Sequence, residues 1–462
     1  MSARKNILIF FTDDHGQWAN GCYGSEHVHS PTIDSLAASG TKLTHAFTPS
    51  PVCSPARASF FTGLLPSQYG IHDYIGGGDG LPDGHPSLRD QTTIAQLLQA
   101  DGYRTGLAGK WHCGYAKTEG RYGFDRWFSY AESQYPHQGP ISFMDQDEVV
   151  DYDGYQSEAI TEQAVKFIED QSADQPFFLF IGYVDTHTPY TGHPERHMQR
   201  YRDMDLSEVN REPYDDCHGT PKAPWPEDAR KRQGNLEQYM AAVSMIDEQM
   251  TLVIDSLTQK GMIDDTVIVY TADHGHMNGH HGMHCKGNAT TPQNFIDNSI
   301  LVPSIFLCPS FIAEGQTLEH MFDHCDLFNT LLNIADVDAP DSARSPGRSL
   351  LPALRGETIS NWRQYQFCEY GNARCIRSDT HKLIRRWNGP NGRFPDELYD
   401  LQTDPRETQN RIDQLEYADV IATLSDALTE HFDQYDDPAV SGTRIGELPS
   451  INGDEPWRRI LS

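Results

Sequence analysis

Near the start of the chain five apolar residues follow one another, Ile7 to Phe11, and the run ends abruptly at Thr12-Asp13-Asp14-His15-Gly16. A short run without polar alternation predicts that Asn6 to Phe11 is a strand buried on both faces, delivering two carboxylates at its C-terminal end. Ser30 to Ser39 predicts a helix, with Ser30 as N-cap, Pro31 at the first helical position and Gly40 beyond the last turn. Thr92 to Ala100 sets Ile94, Leu97 and Leu98 on one face, and Gly102 follows. Thr105 to Ala108 is a second strand, running into Gly109-Lys110-Trp111-His112. A polar helix around Glu158 to Asp170 precedes a third strand, Phe177 to Val184, which meets Asp185-Thr186-His187 at once. Leu236 to Lys260 repeats Met240, Val243, Ile246, Met250, Val253 and Leu257 at helical spacing and stops at Gly261. Thr266 to Tyr270 is a fourth strand, followed by Asp273-His274-Gly275.

Strands alternating with helices predict an α/β fold with a sheet covered on both faces. Ligands of such sheets sit beyond the carboxyl ends of the strands. Asp13/Asp14, Lys110/His112, His187 and Asp273/His274 all fall there; any one alone would read as a loop residue solvating a strand end, but four converge. After about residue 355 the pattern changes, and Tyr365–Tyr370, Ala373–Arg377 and His381–Arg386 alternate like a small antiparallel sheet. We therefore expect a catalytic domain over 1–355 and a C-terminal subdomain over 356–462, with one helix at Ala418–Phe432 and an irregular tail. The length of 462 residues suits such a division.

Composition narrows the function. A formal charge of −30 disfavours nucleic acid and anionic membrane surfaces as partners. No apolar run approaches the roughly 20 residues needed to span a bilayer. The residues before the first strand are too few for a secretory h-region, and nine scattered cysteines form no disulfide framework, so a cytoplasmic location is expected. An anionic substrate would have to be drawn in by local cations and a metal, against the global field.

Cys53-Ser54-Pro55-Ala56-Arg57, with Thr62-Gly63 a few residues on, resembles the signature of the type I, formylglycine-dependent sulfatases. Taken alone, it could equally be a buried cysteine before a helix. The other parts of that family's site follow in order: Asp13-Asp14, Gly109-Lys110-Trp111-His112, His187 in a His-Thr-Pro-Tyr loop, Asp273-His274-Gly275 and Lys286-Gly287. The Glu397-Leu-Tyr-Asp400 stretch, with Asp404-Pro405, is typical of the family's C-terminal part. The resemblance implies an alkaline phosphatase-like sandwich with a large, mixed, mostly parallel sheet. It also implies that Cys53 is converted to formylglycine by a separate maturation enzyme, and that Asp13, Asp14, Asp273, His274 and the residue at 53 hold a metal. Oxygen-rich ligation favours Ca²⁺, with Mg²⁺ or Mn²⁺ as alternatives.

By the same resemblance Arg57 steadies residue 53, Lys110 and Lys286 clamp sulfate oxygens, and Asp273 takes a proton from the formylglycine hydrate as it attacks sulfur. His187, or Lys286 beside it, protonates the departing alcohol of an aryl or carbohydrate sulfate monoester. His112 then resolves the sulfo-enzyme intermediate. Two alternatives stand beside this: a phosphonate monoester hydrolase or phosphodiesterase on the same scaffold, which His274 in place of Asn or Gln would suit, and a silent binding protein, against which the intact set of residues argues. The run of His274, His276, His280, His281 and His284 admits a zinc site but reads better as a loop lining the substrate entrance. Cys113 and Cys285 read as packing residues. The pocket for the alcohol is expected from the loops Gly76–Gly84 and His193–Trp225.

Overall fold

In a computed structural model, residues 4–459 are described apart from 77–84, 86, 115–120, 132–136, 208, 211, 215 and 340–343. The predicted buried strand is β1 (Asn6–Thr12), and its side chains divide between two cores: Ile7, Ile9 and Phe11 on one face, Leu8 and Phe10 on the other. That division is why the run shows no polar alternation. β1 lies within a ten-stranded sheet with β2 (Thr41–Leu43), β3 (Arg104–Gly109), β4 (Arg126–Tyr130), β5 (Gln138–Asp145) and β6 (Glu148–Tyr155). The remaining four strands are β7 (Phe177–Tyr183), β8 (Thr266–Ala272), β9 (Ser304–Leu307) and β10 (Gln316–Leu318). The spatial order is β10-β2-β9-β8-β1-β7-β3-β4-β5-β6. The run β8-β1-β7-β3-β4 is parallel, and antiparallel pairings begin at β9 on one side and β5 on the other. The sheet is thus large, mixed and mostly parallel, as expected.

Helices cover both faces. α2 (Cys53–Thr62), α3 (Ile94–Ala100) and α7 (His324–Ala335) pack on one core; α1 (Pro31–Ser39), α4 (Gln156–Glu169) and α6 (Ala229–Gln259) pack on the other. α5 (Glu195–Arg202) lies against α6. Two expectations are corrected. Ser30 stands at the N-cap position of α1 but makes no side-chain cap bond, its hydroxyl accepting from Gly21 N at 3.1 Å; Asp247 of α6 accepts from Thr32 N (3.1 Å) and Ile33 N (2.8 Å) in its place. α6 also begins at Ala229, seven residues before its apolar stripe, because Asp228 accepts from Arg230 N and Lys231 N and starts a polar, exposed turn.

The C-terminal sheet has four strands, not three: β11 (Gln366–Tyr370), β12 (Ala373–Arg377), β13 (His381–Arg386) and β14 (Glu397–Asp400), all antiparallel. The predicted helix is α8 (Ala418–Tyr435), and the irregular tail is packed, with Trp457 buried edge-on against Tyr370 at 5.4 Å. Among the described residues no helix is long and apolar enough to cross a membrane.

The small sheet is tied to the rest by buried charge. Lys382 of β13 is fully buried and donates to Phe295 O and Asp297 Oδ1, each at 2.7 Å, and to Glu407. Arg377 of β12 forks onto the same Asp297. Lys382→Met should therefore lower the urea midpoint, by about 3–5 kcal/mol of stability, since it strands buried carboxylates; equilibrium urea unfolding checks this.

Candidate active site

Four neighbouring parallel strands end at one place. β1 delivers Asp13 and Asp14, β3 delivers Lys110, β7 leads through Asp185 and Thr186 to His187, and β8 delivers Asp273 and His274. Close approach at this edge depends on small residues: Gly109 has φ +108°, and a Cβ there would lie 2.2 Å from Gly182 O. Lys110 N donates to that same carbonyl at 3.0 Å, so the chain leaves β3 pressed against β7. Cys53 enters from the side as the first residue of α2, all ten of whose residues are buried.

The nearest donor set is Asp13, Asp14, Cys53 and His274, whose ligand atoms all lie within 4.8 Å of one another. Cys53 Sγ is 3.1 Å from Lys286 Nζ, 3.4 Å from His274 Nε2 and 3.6 Å from Asp13 Oδ1. Asp273 adjoins the set, with Oδ1 3.5 Å from His274 Nε2, and its oxygens are heavily used. Oδ1 accepts from Asp14 N (3.1 Å) and His274 N (2.9 Å), and Oδ2 accepts from Arg57 Nε (3.0 Å).

Lys110 Nζ rests on Asp13 and Lys286 Nζ on Asp14, while an Arg57 nitrogen lies 3.6 Å from Asp13 Oδ2. Burial would raise both carboxyls, but Lys110 and Arg57 hold Asp13, and Lys286 holds Asp14, well below the ordinary range. Asp273 goes the other way, raised by burial and by the negative charge of Asp13. Burial also pushes the Cys53 thiol up to about 12 despite the nearby lysines, so an unmodified thiol at this position is a poor nucleophile at neutral pH. The donor set fits a hard divalent cation: its carboxylates are ionised and already attract positive charge, which the two ammonium groups supply here.

The expected acid and base residues flank this set. His187 is half-buried; its Nδ1 donates to Thr188 O at 2.6 Å, and burial lowers its pKa while Asp14 and Asp13 oppose the shift. His112 has φ +56° and donates from Nε2 to Ile75 O at 3.0 Å, with burial and Lys110 keeping the ring neutral.

Some contributors have no signal in the sequence. Tyr239, on the apolar stripe of α6, donates to Asp14 O (2.8 Å) and accepts from Gly16 N (3.0 Å), and Thr186 donates to Asp13 O. Among the described residues, the histidines of the His-rich segment beyond His274 go to separate partners. His276 stacks on Tyr239 and meets the Tyr190 hydroxyl at 2.5 Å, His280 meets Glu212 at 3.0 Å, and His281 packs edge-on against His218. His284 meets Asn235 at 3.0 Å and lies beside Tyr190 and Trp225. Cys113 is buried with its thiol raised, in keeping with packing, and the thiol of half-buried Cys285 is raised to about 11. Of the expected pocket loops, 77–84 lies outside the described residues.

Residues 5–337 match the sulfatase family model, and 292–434 match that of the N-sulphoglucosamine sulphohydrolase C-terminal region. The chain is 29% identical to an uncharacterized sulfatase, YidJ, of Escherichia coli, over 94% of this chain and 88% of the relative. It is 26% identical to an N-acetylglucosamine-6-O-sulfatase of Bacteroides thetaiotaomicron, over 94% and 87%. In fold it resembles the phosphonate monoester hydrolase of Agrobacterium radiobacter, at 21% identity, with a TM-score of 0.75 over 94% of this chain and 96% of that one.

Calcium at about 100 times its Kd should add about 2.7 kcal/mol of stability if the donor set holds it. Calorimetric melting with Ca²⁺ and with chelator checks this, and the gain should vanish in Asp14→Asn.

Proposed function

The chain belongs to the sulfatase family and hydrolyses sulfate esters, and from that premise we propose that its substrate is a saccharide sulfate monoester, attacked at sulfur by a formylglycine made from Cys53. The observation that carries the reading is the meeting of Cys53 Sγ with Lys286, His274 and Asp13 at the ends of the central strands. Saccharide in place of aryl sulfate is supported by the N-acetylglucosamine-6-O-sulfatase relative, matched along most of both chains.

Asp13, Asp14, His274 and residue 53, with Asp273 adjoining, would hold Ca²⁺ or a similar ion. When bound, such an ion polarises sulfate oxygens and favours the ionised form of a neighbouring hydroxyl. Formylglycine supplies a hydrated aldehyde, which offers a hydroxyl for attack and a second to release sulfate, where a thiol raised to about 12 offers neither.

The chain's own residues do the rest. Lys110 and Lys286 place two ammonium charges beside residue 53, where the non-bridging oxygens of a sulfate need them. Arg57 holds Asp273 through Nε and the Lys110 carbonyl through Nη1, so one buried guanidinium sets both a carboxylate and a clamp. His187, its Nδ1 donating to Thr188 O, would protonate the departing sugar oxygen from Nε2 in the imidazolium form that Asp14 and Asp13 favour against burial. His112, kept neutral by burial and Lys110 and donating from Nε2 to Ile75 O, would serve as the base that resolves the sulfo-enzyme intermediate.

Mass spectrometry of the Cys53 peptide should find aldehyde in place of thiol. The same preparation should turn over N-acetylglucosamine 6-sulfate, and Cys53→Ala should lose roughly 10³-fold or more. An unmodified thiol in an active preparation, or faster turnover of a phosphate diester than of any sulfate ester, would overturn the reading.

A further inference from the structure

We propose that His137 is a positioning residue for this reaction: by donating a hydrogen bond to the main-chain carbonyl of His187 it sets the loop that carries the proton-donating imidazole. The inference rests on the reading of His187 as the acid. His137 lies just before β5, fifty residues from His187, and is 2% exposed. Its Nε2 meets His187 O at 2.8 Å, and its Nδ1 meets Gln156 Nε2 at 2.7 Å. A carbonyl can only accept, so Nε2 carries the proton and Nδ1 the lone pair. The Gln156 amide enforces the same tautomer, because its oxygen already accepts from the Tyr130 hydroxyl and its NH₂ therefore faces the ring.

The result is a directed chain, Tyr130 to Gln156 to His137 to His187, running from the end of β4 to the active-site loop. Gln156, the first residue of α4, is fully buried and donates from its own N to His137 O at 3.1 Å. Burial lowers the pKa of His137 to about 4, so the ring stays neutral and the tautomer holds. His193, from the far end of the same loop, packs on the His137 ring with centroids 4.8 Å apart. On the other side Thr186 grips Asp13 O, His187 N donates to Val184 O at 2.7 Å and His187 Nδ1 to Thr188 O. The imidazole is thus located by main-chain anchors before and after it, and His137 holds the one at the residue itself.

A role through the acid makes a prediction that mere structural support does not. Protonation matters for a sugar alkoxide and hardly at all for nitrophenolate, so the loss should depend on the leaving group. In the Cys53-modified enzyme, His137→Phe should lower kcat for N-acetylglucosamine 6-sulfate by about 10²-fold, the scale of a small misplacement. KM should stay nearly constant, and 4-nitrophenyl sulfate should lose far less. His137→Gln keeps a donor and should restore most of the sugar activity. Gln156→Met frees the tautomer and should give the same pattern to a smaller extent, which keeps the test valid if His137→Phe does not fold. His187→Ala is the reference. If it discriminates between the two substrates while His137→Phe and Gln156→Met lower both equally, the proposal alone is overturned. If His187→Ala does not discriminate, the acid reading fails and the proposal falls with it.

Discussion

Three carboxylates meet out of water at the ends of two adjacent strands, and their repulsion is the constraint around which the rest of the site is arranged. Two such charges about 4 Å apart repel by about 4 kcal/mol at an effective dielectric of 20. Arg57, Lys110 and Lys286 answer them one for one, from a helix, a strand end and a loop. The three cations come from distant parts of the chain, so the charge balance is complete only when α2, β3 and the segment after β8 are all seated. On the proposed reading a divalent ion would take over the neutralisation of Asp13 and Asp14, freeing both ammonium groups for an anion. The cluster is then built to exchange partners, not to lock a fold.

This local balance resolves the tension between a formal charge of −30 and an anionic substrate. Surface carboxylates act through solvent and are screened beyond about 10 Å at 0.1 M salt. Lys110 and Lys286, which the proposed reading makes the sulfate clamps, are buried beside residue 53, where little screens them. On that reading attraction would act at short range, with little part for the protein's general field.

How far the sequence foretold this depends on which physical signal each part leaves. The four central strands were legible because a strand buried on both faces is apolar without alternation, and polar residues following such strands must lie at the sheet's carboxyl edge. Cys53, Arg57 and Lys286 were legible only through a motif, since nothing in local periodicity brings residue 286 to residue 53. The outer strands β4 to β6 carry mixed patterns, and the β5–β6 hairpin is set by pairing, which leaves little trace in composition. Asp247 capping another helix and Tyr239 holding Asp14 O were invisible for a further reason. Both sit on the buried stripe of α6, and the stripe says that a residue is inside without saying which atom it meets. His137 left no signal either, since it precedes a strand of mixed pattern and meets a loop fifty residues away.

The burial of Cys53 at the start of a wholly enclosed helix bears on when the proposed conversion of that residue could take place. Its side chain is 3% exposed, so no second protein can wrap the five-residue stretch around it once α2 has packed on the sheet. An enzyme acting on that sulfur, as the proposed reading requires, would therefore meet it before the core closes over it. On the proposed reading, the order of two events would then matter: conversion of Cys53 would have to precede the packing of α2 on the sheet.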